Sequence, residues 1–351
     1  MTRIAVKIVA LVLAATAFAA PVAAQAPTAL FASDDVIQLT VRGPIGAVAR
    51  GGERSTAVHP ATLTLEGAAP ETHAIALSPR GITRRRRDIC TFPPLRIEFT
   101  QPPPAASLFA GQRRLKLVTH CRPTDSFQQH VLLEFAAYRL LNALTPLSLR
   151  VRLARIDYVE EGATRPTASR LGFLIEDIDD AASRNGLVEL EGGDFPYARL
   201  SPRDAARFAV FEYMIGNLDW AMQAGPAGDD CCHNSKPLAA APDVTSGLIP
   251  IPYDFDHSGL VDAPYATPPA QLTVSSIRTR VYRGFCMHNE EARAVAAEFL
   301  AARPRIETAL GAVPELSDRH RTRALAYLAG FFESVATPAD VDRNLLRSCV
   351  R

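Results

Sequence analysis

The sequence predicts an α+β protein with a β-rich N-terminal lobe and a mainly helical C-terminal lobe. From about residue 36 to residue 121, apolar residues alternate or cluster in short runs between Gly, Pro and polar turns, which is typical of strands. Beyond residue 123, apolar residues recur mainly at helical spacing, interrupted by one strand pair. The chain has 351 residues, which is enough for two lobes of ordinary size.

Residues 1–24 have the features of a secretory signal peptide. A basic start precedes a mostly apolar stretch over 8–20, and small residues then occupy alternate positions. Cleavage is predicted after Ala24 or Ala26, with Ala24 preferred. The stretch is shorter than a bilayer-spanning helix, and no later run approaches ~20 apolar residues. We therefore expect a periplasmic or secreted chain without a transmembrane segment in its mature form.

Three segments follow the signal peptide. Residues 28–122 form the β-rich N-terminal lobe, with strands predicted at "VIQLTV", "ATLTLEG", "HAIALSP", "LRIEFT" and "RLKLVTH". Residues 123–180 complete that lobe and a hinge, with a helix over 126–144 and the strand pair "RVRLARIDYVEEG" and "RLGFLIEDI". Residues 181–351 form the helical lobe. Its predicted helices cover 201–222, 289–303 and 317–334, the first with Ser201 as its N-cap.

The charge balance limits the kinds of partner. A formal net charge of +1 argues against a nucleic acid held by bulk electrostatics. One basic run, Arg84–Arg87, is local. It is interpreted either as a solvated strand edge or as a grip on phosphate or on an acidic surface.

Six cysteines in an exported chain predict disulfides. Cys90 and Cys121 each lie beside a β-type run, which makes them a natural pair across neighbouring strands. The pairing of the remaining four cysteines is less constrained, because six cysteines allow many connectivities.

Cys231 and Cys232 are adjacent, and a bond between them would be strained, so both are expected to bond elsewhere. That leaves Cys286 and Cys349 as their partners. A zinc site is the alternative, with spacing that matches no familiar zinc pattern. Its candidate ligands are Cys231, Cys232, His233, Cys286 and His288.

Three short segments carry residue types that phosphoryl transfer needs. The first has Lys116 in a predicted strand and Glu134 in the helix after it; such a pair can hold nucleotide phosphates. The second segment covers 216–238 and contains Asp219 and Asn234. An aspartate there can orient and deprotonate an acceptor hydroxyl, and an amide oxygen can bind magnesium.

The third segment, "IPIPYDFDHSG", places Asp254 and Asp256 on either side of Phe255. Carboxylates at positions i and i+2 at the end of a strand face the same side, because side-chain direction repeats every two residues. We expect Asp254 to bind a metal ion together with Asn234, and Asp256 to bind a second ion or steady the first.

The segments "NLDW", "HNSKPL" and "IPYDFDHSG" together resemble the motif of the CotH kinase family, spore-coat protein H and its relatives, which are atypical secreted or surface kinases. Upstream, "RGITRRRRDICTFPPLRIEF" and "RRLKLVTHCRPTDSFQQHVLLEFAAYRLL" are similar to that family's Arg-Gly turn, β-hairpin and following helix. The resemblance covers roughly residues 75–265 and implies a protein-kinase-like fold. It also implies that Glu176 in "GFLIEDID" lies beside the nucleotide.

The resemblance implies an exported CotH-like atypical kinase that transfers phosphate from ATP, with Mg²⁺ or Mn²⁺, to an extracytoplasmic protein or glycan. Phosphate cover is expected from Arg84–Arg87 or the turn at Arg80 and Gly81, because no G-x-G-x-x-G loop is present. One alternative is a non-catalytic pseudokinase that serves as an envelope binding module.

The other alternative is a metal-dependent hydrolase that uses the same carboxylates to activate water. Its candidate residues are Asp219, Asp254, Asp256, and His257 or His233. A lipase or serine hydrolase is disfavoured because the chain has no G-x-S-x-G elbow.

Overall fold

The computed structural model describes residues 26–51, 55–226 and 230–351. The signal peptide predicted over 1–24 lies outside this part of the chain. No helix within the described ranges is long and apolar enough to cross a membrane.

Seven strands of the N-terminal half close into a mixed barrel. They are β1 (Ile37–Gly43), β2 (His59–Leu65), β3 (Glu71–Pro79), β4 (Leu95–Phe99), β5 (Arg114–Val118), β6 (Val151–Glu160) and β7 (Ala168–Ile175). Around the barrel the order is β1-β2-β3-β4-β5-β7-β6. Strand β1 closes it by pairing antiparallel with β2 and parallel with β6.

Alternating side chains explain why these segments form a barrel with a packed interior. In β1 the residues Ile37, Leu39 and Val41 are buried, while the intervening Thr40 and Arg42 are more exposed. All six of the other strands contribute side chains to the same interior. The barrel core includes Leu63, Ile75, Leu77, Leu95, Ile97, Leu115, Leu117, Ile156, Tyr158 and Leu174.

The prediction of a protein-kinase-like, two-lobe fold is wrong. The finding that overturns it is the closed seven-stranded mixed barrel, which has helices mostly in the C-terminal part of the chain. Closure depends on the parallel pairing of β1 with β6, which aligns Ile37 with Ala154 and Gly43 with Glu160. Local alternation predicts that a segment is a strand, but it does not specify a partner more than a hundred residues away.

The helices are α1 (Ile45–Arg50), α2 (Asp125–Leu144), α3 (Ile178–Arg184), α4 (Pro202–Ile215), α5 (Asn289–Ala301), α6 (Arg303–Gly311), α7 (Asp318–Ser334) and α8 (Pro338–Asn344). The predicted helices over 126–144, 289–303 and 317–334 are confirmed by α2, α5 and α7. Ser201 is the N-cap of α4, as predicted.

The helix predicted over 201–222 was too long, because α4 ends at Ile215. Gly216 adopts a left-handed conformation, with φ of 68°, and its N–H bonds to the carbonyls of Glu212 and Tyr213. Glycine takes this backbone conformation at little cost, which stops the helix. The chain is thereby free to turn sharply before Asp219.

A small second sheet lies in the C-terminal part. It contains β8 (Val188–Glu189), β9 (Ser235–Ala239) and β10 (Ile249–Pro252), in the order β10-β9-β8. Strands β9 and β10 form an antiparallel pair, in which Ser235 lies opposite Pro252. The pair therefore brings the segment after Asn234 next to the segment that leads into Asp254.

The six cysteines form three disulfides, which fit a chain that folds in an oxidising compartment. The predicted pair Cys90–Cys121 is confirmed. The prediction that Cys231 and Cys232 bond to Cys286 and Cys349 is wrong: Cys231 bonds to Cys232, and Cys286 to Cys349. The physical reason is that the C-terminus returns to Cys286, whose N–H donates to the carbonyl of Val350 at 2.8 Å.

His120, just after β5, gives a test of the barrel's packing. Its ring is 4% exposed and stacks on Phe92 at 4.9 Å. Burial, with a smaller contribution from Arg170, lowers the pKa of His120 to about 4 from an ordinary 6.5. The unfolded chain therefore takes up this proton at a higher pH than the folded chain does.

We expect the free energy of unfolding to fall by about 1.4 kcal/mol per pH unit from this histidine alone as pH drops from about 6.5 to about 4. In His120→Phe, which preserves the stacking on Phe92, that part of the slope should disappear. Urea denaturation at several pH values measures the difference between the two proteins. Equal slopes in both proteins would show that His120 is not held neutral.

Candidate functional site

Asp254 and Asp256 flank an anchored aromatic residue. Phe255 is 0% exposed and packs against Tyr138 and Phe211, with ring centroids 4.6 and 5.4 Å away. Asp254 follows β10 in a left-handed conformation, φ 64°, and its N–H donates to the Tyr138 hydroxyl oxygen at 2.9 Å. The buried ring thus holds the two carboxylates in place, and only Asp254 is substantially exposed (34%).

Arg84 lies among three carboxylates. Its Nη1 is 3.0 Å from Oε2 of Glu134, and its Nε is 3.2 Å from Oδ2 of Asp256. Its Nη2 is 3.7 Å from Oδ1 of Asp254, which makes this the longest of the three contacts. Arg84 follows β3, Glu134 lies on α2 and the aspartates follow β10, so one guanidinium joins the barrel to the C-terminal part.

The cluster holds more negative than positive charge. Burial raises the pKa of Glu134, with Asp256 and Asp254 adding to the effect and Arg84 opposing it. Burial also raises the pKa of Asp256, whose Oδ2 accepts a hydrogen bond from the Tyr265 hydroxyl at 3.0 Å. Such a site stabilises a proton or an additional cation.

Asp219 is held by two neighbours from the segment before β9. His233 Nε2 lies 2.8 Å from its Oδ1, and Asn234 Nδ2 donates to its backbone carbonyl at 2.6 Å. Burial alone would raise the pKa of Asp219, but the hydrogen bond and charge of His233 lower it below the ordinary value. The same hydrogen bond raises the pKa of His233. Asp219 therefore stays ionised and keeps a fixed orientation.

Hydrogen bonds hold the loop that carries Asp219. The backbone N–H of Asp219 donates to Oδ1 of Asn217 at 3.0 Å. Arg283 donates to the carbonyls of Leu218 at 2.6 Å and Trp220 at 3.0 Å, and its guanidinium lies 4.7 Å from the Trp220 ring centroid. These hydrogen bonds hold the backbone before and after Asp219, so its carboxylate has a rigid support.

Lys116 projects from β5 toward the same region. Its ammonium lies over the Tyr253 ring, 4.9 Å from the centroid. Burial lowers its pKa to about 8, and the nearby charges of Arg80 and Lys236 act in the same direction. Within the part of the chain that the structure describes, no carboxylate is paired with it. Glu134 pairs with Arg84 instead of forming the lysine–glutamate pair that the sequence suggested.

The carboxylate of Glu176 is fully used in hydrogen bonds within the protein. Its carboxylate accepts hydrogen bonds from Arg184, at 3.1 and 3.0 Å, and from the Arg150 N–H at 2.8 Å. Its side chain is 1% exposed. Glu176 therefore stabilises the exit of β7 and the start of α3.

Most arginines of the basic run over 84–87 likewise interact with acceptors within the protein. Arg84 is buried among the acids, Arg85 donates to the Ser55 carbonyl, and Arg86 pairs with Asp88 at 2.7 Å. Arg80, in the turn that was the other suggested source of phosphate cover, helps to lower the pKa of Lys116 through its charge.

The structure thus brings together most of the predicted site residues and adds others. Asn234 contacts Asp219 and accepts a hydrogen bond from the Tyr253 N–H at 3.2 Å, and the Tyr253 ring lies against Lys116. Arg84 joins Asp254 to Asp256 and Glu134, and Tyr265 donates to Asp256. Lys236 acts on Lys116 through its charge. Lys236 could have been found by composition: the sequence has three lysines, Lys7, Lys116 and Lys236, among 38 lysines and arginines. Across the described ranges, no group of three or more His, Cys, Asp or Glu side chains is arranged to hold a metal ion.

No family model and no curated protein matches the chain. The resemblance to the CotH kinases therefore rests on the quoted motifs alone.

Replacing Arg84 tests the charge balance. Arg84→Met leaves the buried Glu134 and Asp256 without their cation, so we expect the free energy of unfolding to fall by about 3–5 kcal/mol. The exposed Arg87 in the same basic run provides a matched control. Arg87→Met should change the free energy of unfolding by less than about 0.5 kcal/mol. Chemical denaturation measures both variants.

Glu134→Gln in the Arg84→Met background removes one of the uncompensated charges and should recover part of the loss. Equal stabilities of Arg84→Met and Arg87→Met would contradict the role given to this buried cation.

Proposed function

We propose that this protein transfers a phosphoryl group from a donor such as ATP, with Mg²⁺ or Mn²⁺, to a hydroxyl of an extracytoplasmic protein or glycan. The observation that carries the proposal is the position of Lys116, a partly buried cation without a described carboxylate partner. Its ammonium lies 4.9 Å from the ring centroid of Tyr253, the residue directly before Asp254. An anion-binding group beside an exposed metal-type ligand suits a phosphate chain that brings a divalent cation with it.

Asn234 and Asp254 offer oxygen atoms of the kind that a hard divalent cation prefers. Asp254 is partly exposed, and the Asn234 amide directs its nitrogen to Asp219, which leaves its oxygen on the opposite side. The excess negative charge around Arg84 is a further attraction for a cation. Asn234 and Asp254 would hold the ion, with Asp256 steadying it through the shared cluster. A bound cation would neutralise charge on the phosphate oxygens.

Asp219 is the residue suited to the acceptor. Its carboxylate is ionised, partly exposed and oriented by His233 and Asn234, so it can accept a hydrogen bond from a hydroxyl and take its proton. Lys116 would bind the donor's phosphates. The proton acceptor and the phosphate-binding lysine are thus carried by different elements, and a donor and an acceptor could meet between them.

A hydrolase is the second candidate, favoured by one observation. The 2.8 Å contact between His233 and Asp219 is an acid–histidine pair that can activate water. Such an enzyme does not need the lysine, so Lys116→Ala would leave hydrolysis intact but abolish transfer.

Calorimetry with the mature chain tests the proposal. We expect ATP binding that requires Mg²⁺ or Mn²⁺ and weakens at least about tenfold in Asp254→Asn, because a ligand charge is lost. Asp243→Asn, which changes an exposed acid, is the matched control and should bind as the wild type does. Asp219→Asn should bind ATP normally but lose turnover by about a hundredfold or more. Unchanged binding of metal and nucleotide by Asp254→Asn would refute the proposed site.

The pH dependence of anion binding tests the role of Lys116. The charged groups around it are Arg80, Asp177, Lys236 and Asp254, and its pKa is about 8. A phosphate chain is fully ionised above about pH 7, so loss of the lysine proton should weaken binding as pH rises through about 8. Lys116→Arg remains charged, and its affinity should stay constant to about pH 10. Parallel titrations of both proteins above pH 7 would contradict this role.

A further inference from the structure

We propose that the disulfide between Cys231 and Cys232 is a redox-exchange site, at which a small thiol opens the bond and thereby weakens the contacts that orient Asp219. The ligand is a low-molecular-weight thiol, and the reaction is thiol–disulfide exchange. The inference goes beyond the proposed function, because it assigns a second chemical reaction to this part of the chain. The exchange itself does not depend on phosphoryl transfer, whereas its effect on turnover rests on the role given to Asp219.

The bonded pair directly precedes the two residues that hold Asp219. His233 follows Cys232 in the chain, and its Nε2 lies 2.8 Å from Oδ1 of Asp219. Asn234 comes next, and its Nδ2 donates to the Asp219 carbonyl at 2.6 Å. The bond between the two cysteine side chains restricts the backbone immediately before these residues. Opening the bond therefore restores backbone freedom next to His233.

The disulfide also contacts the segment that follows Asp219. Sγ of Cys232 lies 3.1 Å from the carbonyl oxygen of Met222. An antiparallel bridge joins Ala221 to His233, in which the Ala221 N–H donates to the His233 carbonyl at 2.9 Å. Opening the bond therefore acts on the segment after Asp219 and also on the side chains that orient its carboxylate.

The three disulfides differ in what they contribute to the fold. Cys90 and Cys121 are each 3% exposed, which shields their sulfur atoms from a dissolved thiol. Cys286 and Cys349 are 63 positions apart, so their bond restricts a long loop of the unfolded chain. The bond between the adjacent cysteines closes almost no loop, and its loss therefore costs the fold little. A thiol can open it while the rest of the structure persists.

A cavity gives a thiol access to the bond. Cys231 lines a cavity of about 340 Å³ together with Leu190, Asp194, Phe195 and Leu248. Both cysteines of the pair are partly exposed. Exchange requires a thiolate to reach one of the two sulfur atoms, so access helps to decide which disulfide reacts. A thiol that enters the cavity lies beside Cys231.

The exchange is balanced with the thiol as the only co-reactant. A first thiolate attacks Sγ of Cys231, the bond to Cys232 breaks, and Cys232 leaves as a thiolate. A second thiolate then attacks the sulfur atom of the attached thiol, which releases Cys231 and forms a small-molecule disulfide. The protein disulfide gains two electrons from the two thiols, and the protons of those thiols end on Cys231 and Cys232.

Mass spectrometry after alkylation tests the exchange, with glutathione as the probe. The mature chain is incubated with graded mixtures of reduced and oxidised glutathione, and the free cysteines are then alkylated and mapped. We expect Cys231 and Cys232 to be alkylated at a mixture at least about tenfold less reducing than the mixture that opens Cys286–Cys349. If the bond opens together with the other two disulfides, or after them, the assignment of the exchange site is wrong.

Hydrogen exchange measures the consequence for Asp219. The Ala221 N–H donates to the His233 carbonyl, and we expect it to exchange at least about tenfold faster after the bond opens, because this segment gains freedom. The double variant Cys231→Ser/Cys232→Ser should exchange at the fast rate with or without glutathione. Peptides from α7 are the internal reference and should keep their rate, which distinguishes local opening from unfolding.

The outcomes separate this inference from the proposed function. Equal exchange of Ala221 in the oxidised chain, the reduced chain and the double variant would overturn the link to Asp219. Loss of protection in α7 as well would show that the whole fold opens, and would also overturn the local effect. Neither measurement contains a nucleotide, so failure of ATP to bind would contradict phosphoryl transfer and leave the redox result unaffected.

Discussion

The guanidinium of Arg84 is buried among Glu134, Asp254 and Asp256, and much of the structure depends on that arrangement. A buried carboxylate without a partner costs several kcal/mol, so α2 and the turn after β10 must both stay within reach of this one cation. Because Arg84 itself follows β3, the barrel, the long helix and the second sheet are held in one geometry. The site is therefore part of the structural core.

A cation and an acidic cluster adjoin the Tyr253–Asp254 segment. The Lys116 ammonium lies over the Tyr253 ring, and the acids around Arg84 include Asp254. A ligand that is an anion and also carries a metal cation satisfies both groups at once. This complementarity is why we favour a phosphoryl donor such as ATP over a simple hydrolytic substrate, for which Lys116 would have no role.

The site was predictable where short motifs encode it. Asp254 and Asp256 flank the buried Phe255, although a left-handed turn at Asp254, and not a two-residue strand period, directs them. Asp219 and Asn234 meet because an antiparallel bridge joins Ala221 to His233. Pairings between distant segments were not predictable. Nothing near Glu134 indicates that its partner is Arg84 rather than Lys116, since both cations occur on β-rich segments and only their three-dimensional approach distinguishes them.

The sequence by itself determined the strands of the barrel, the starts of the main helices and the Cys90–Cys121 bond, because these depend on local periodicity, capping and neighbouring strands. The tertiary structure alone decided that β1 closes the barrel against β6 and that Cys286 bonds to Cys349. It also decided that Glu176 is sealed by Arg184. These contacts join residues whose proximity follows from the packing of the whole chain, and local sequence preferences carry no information about it.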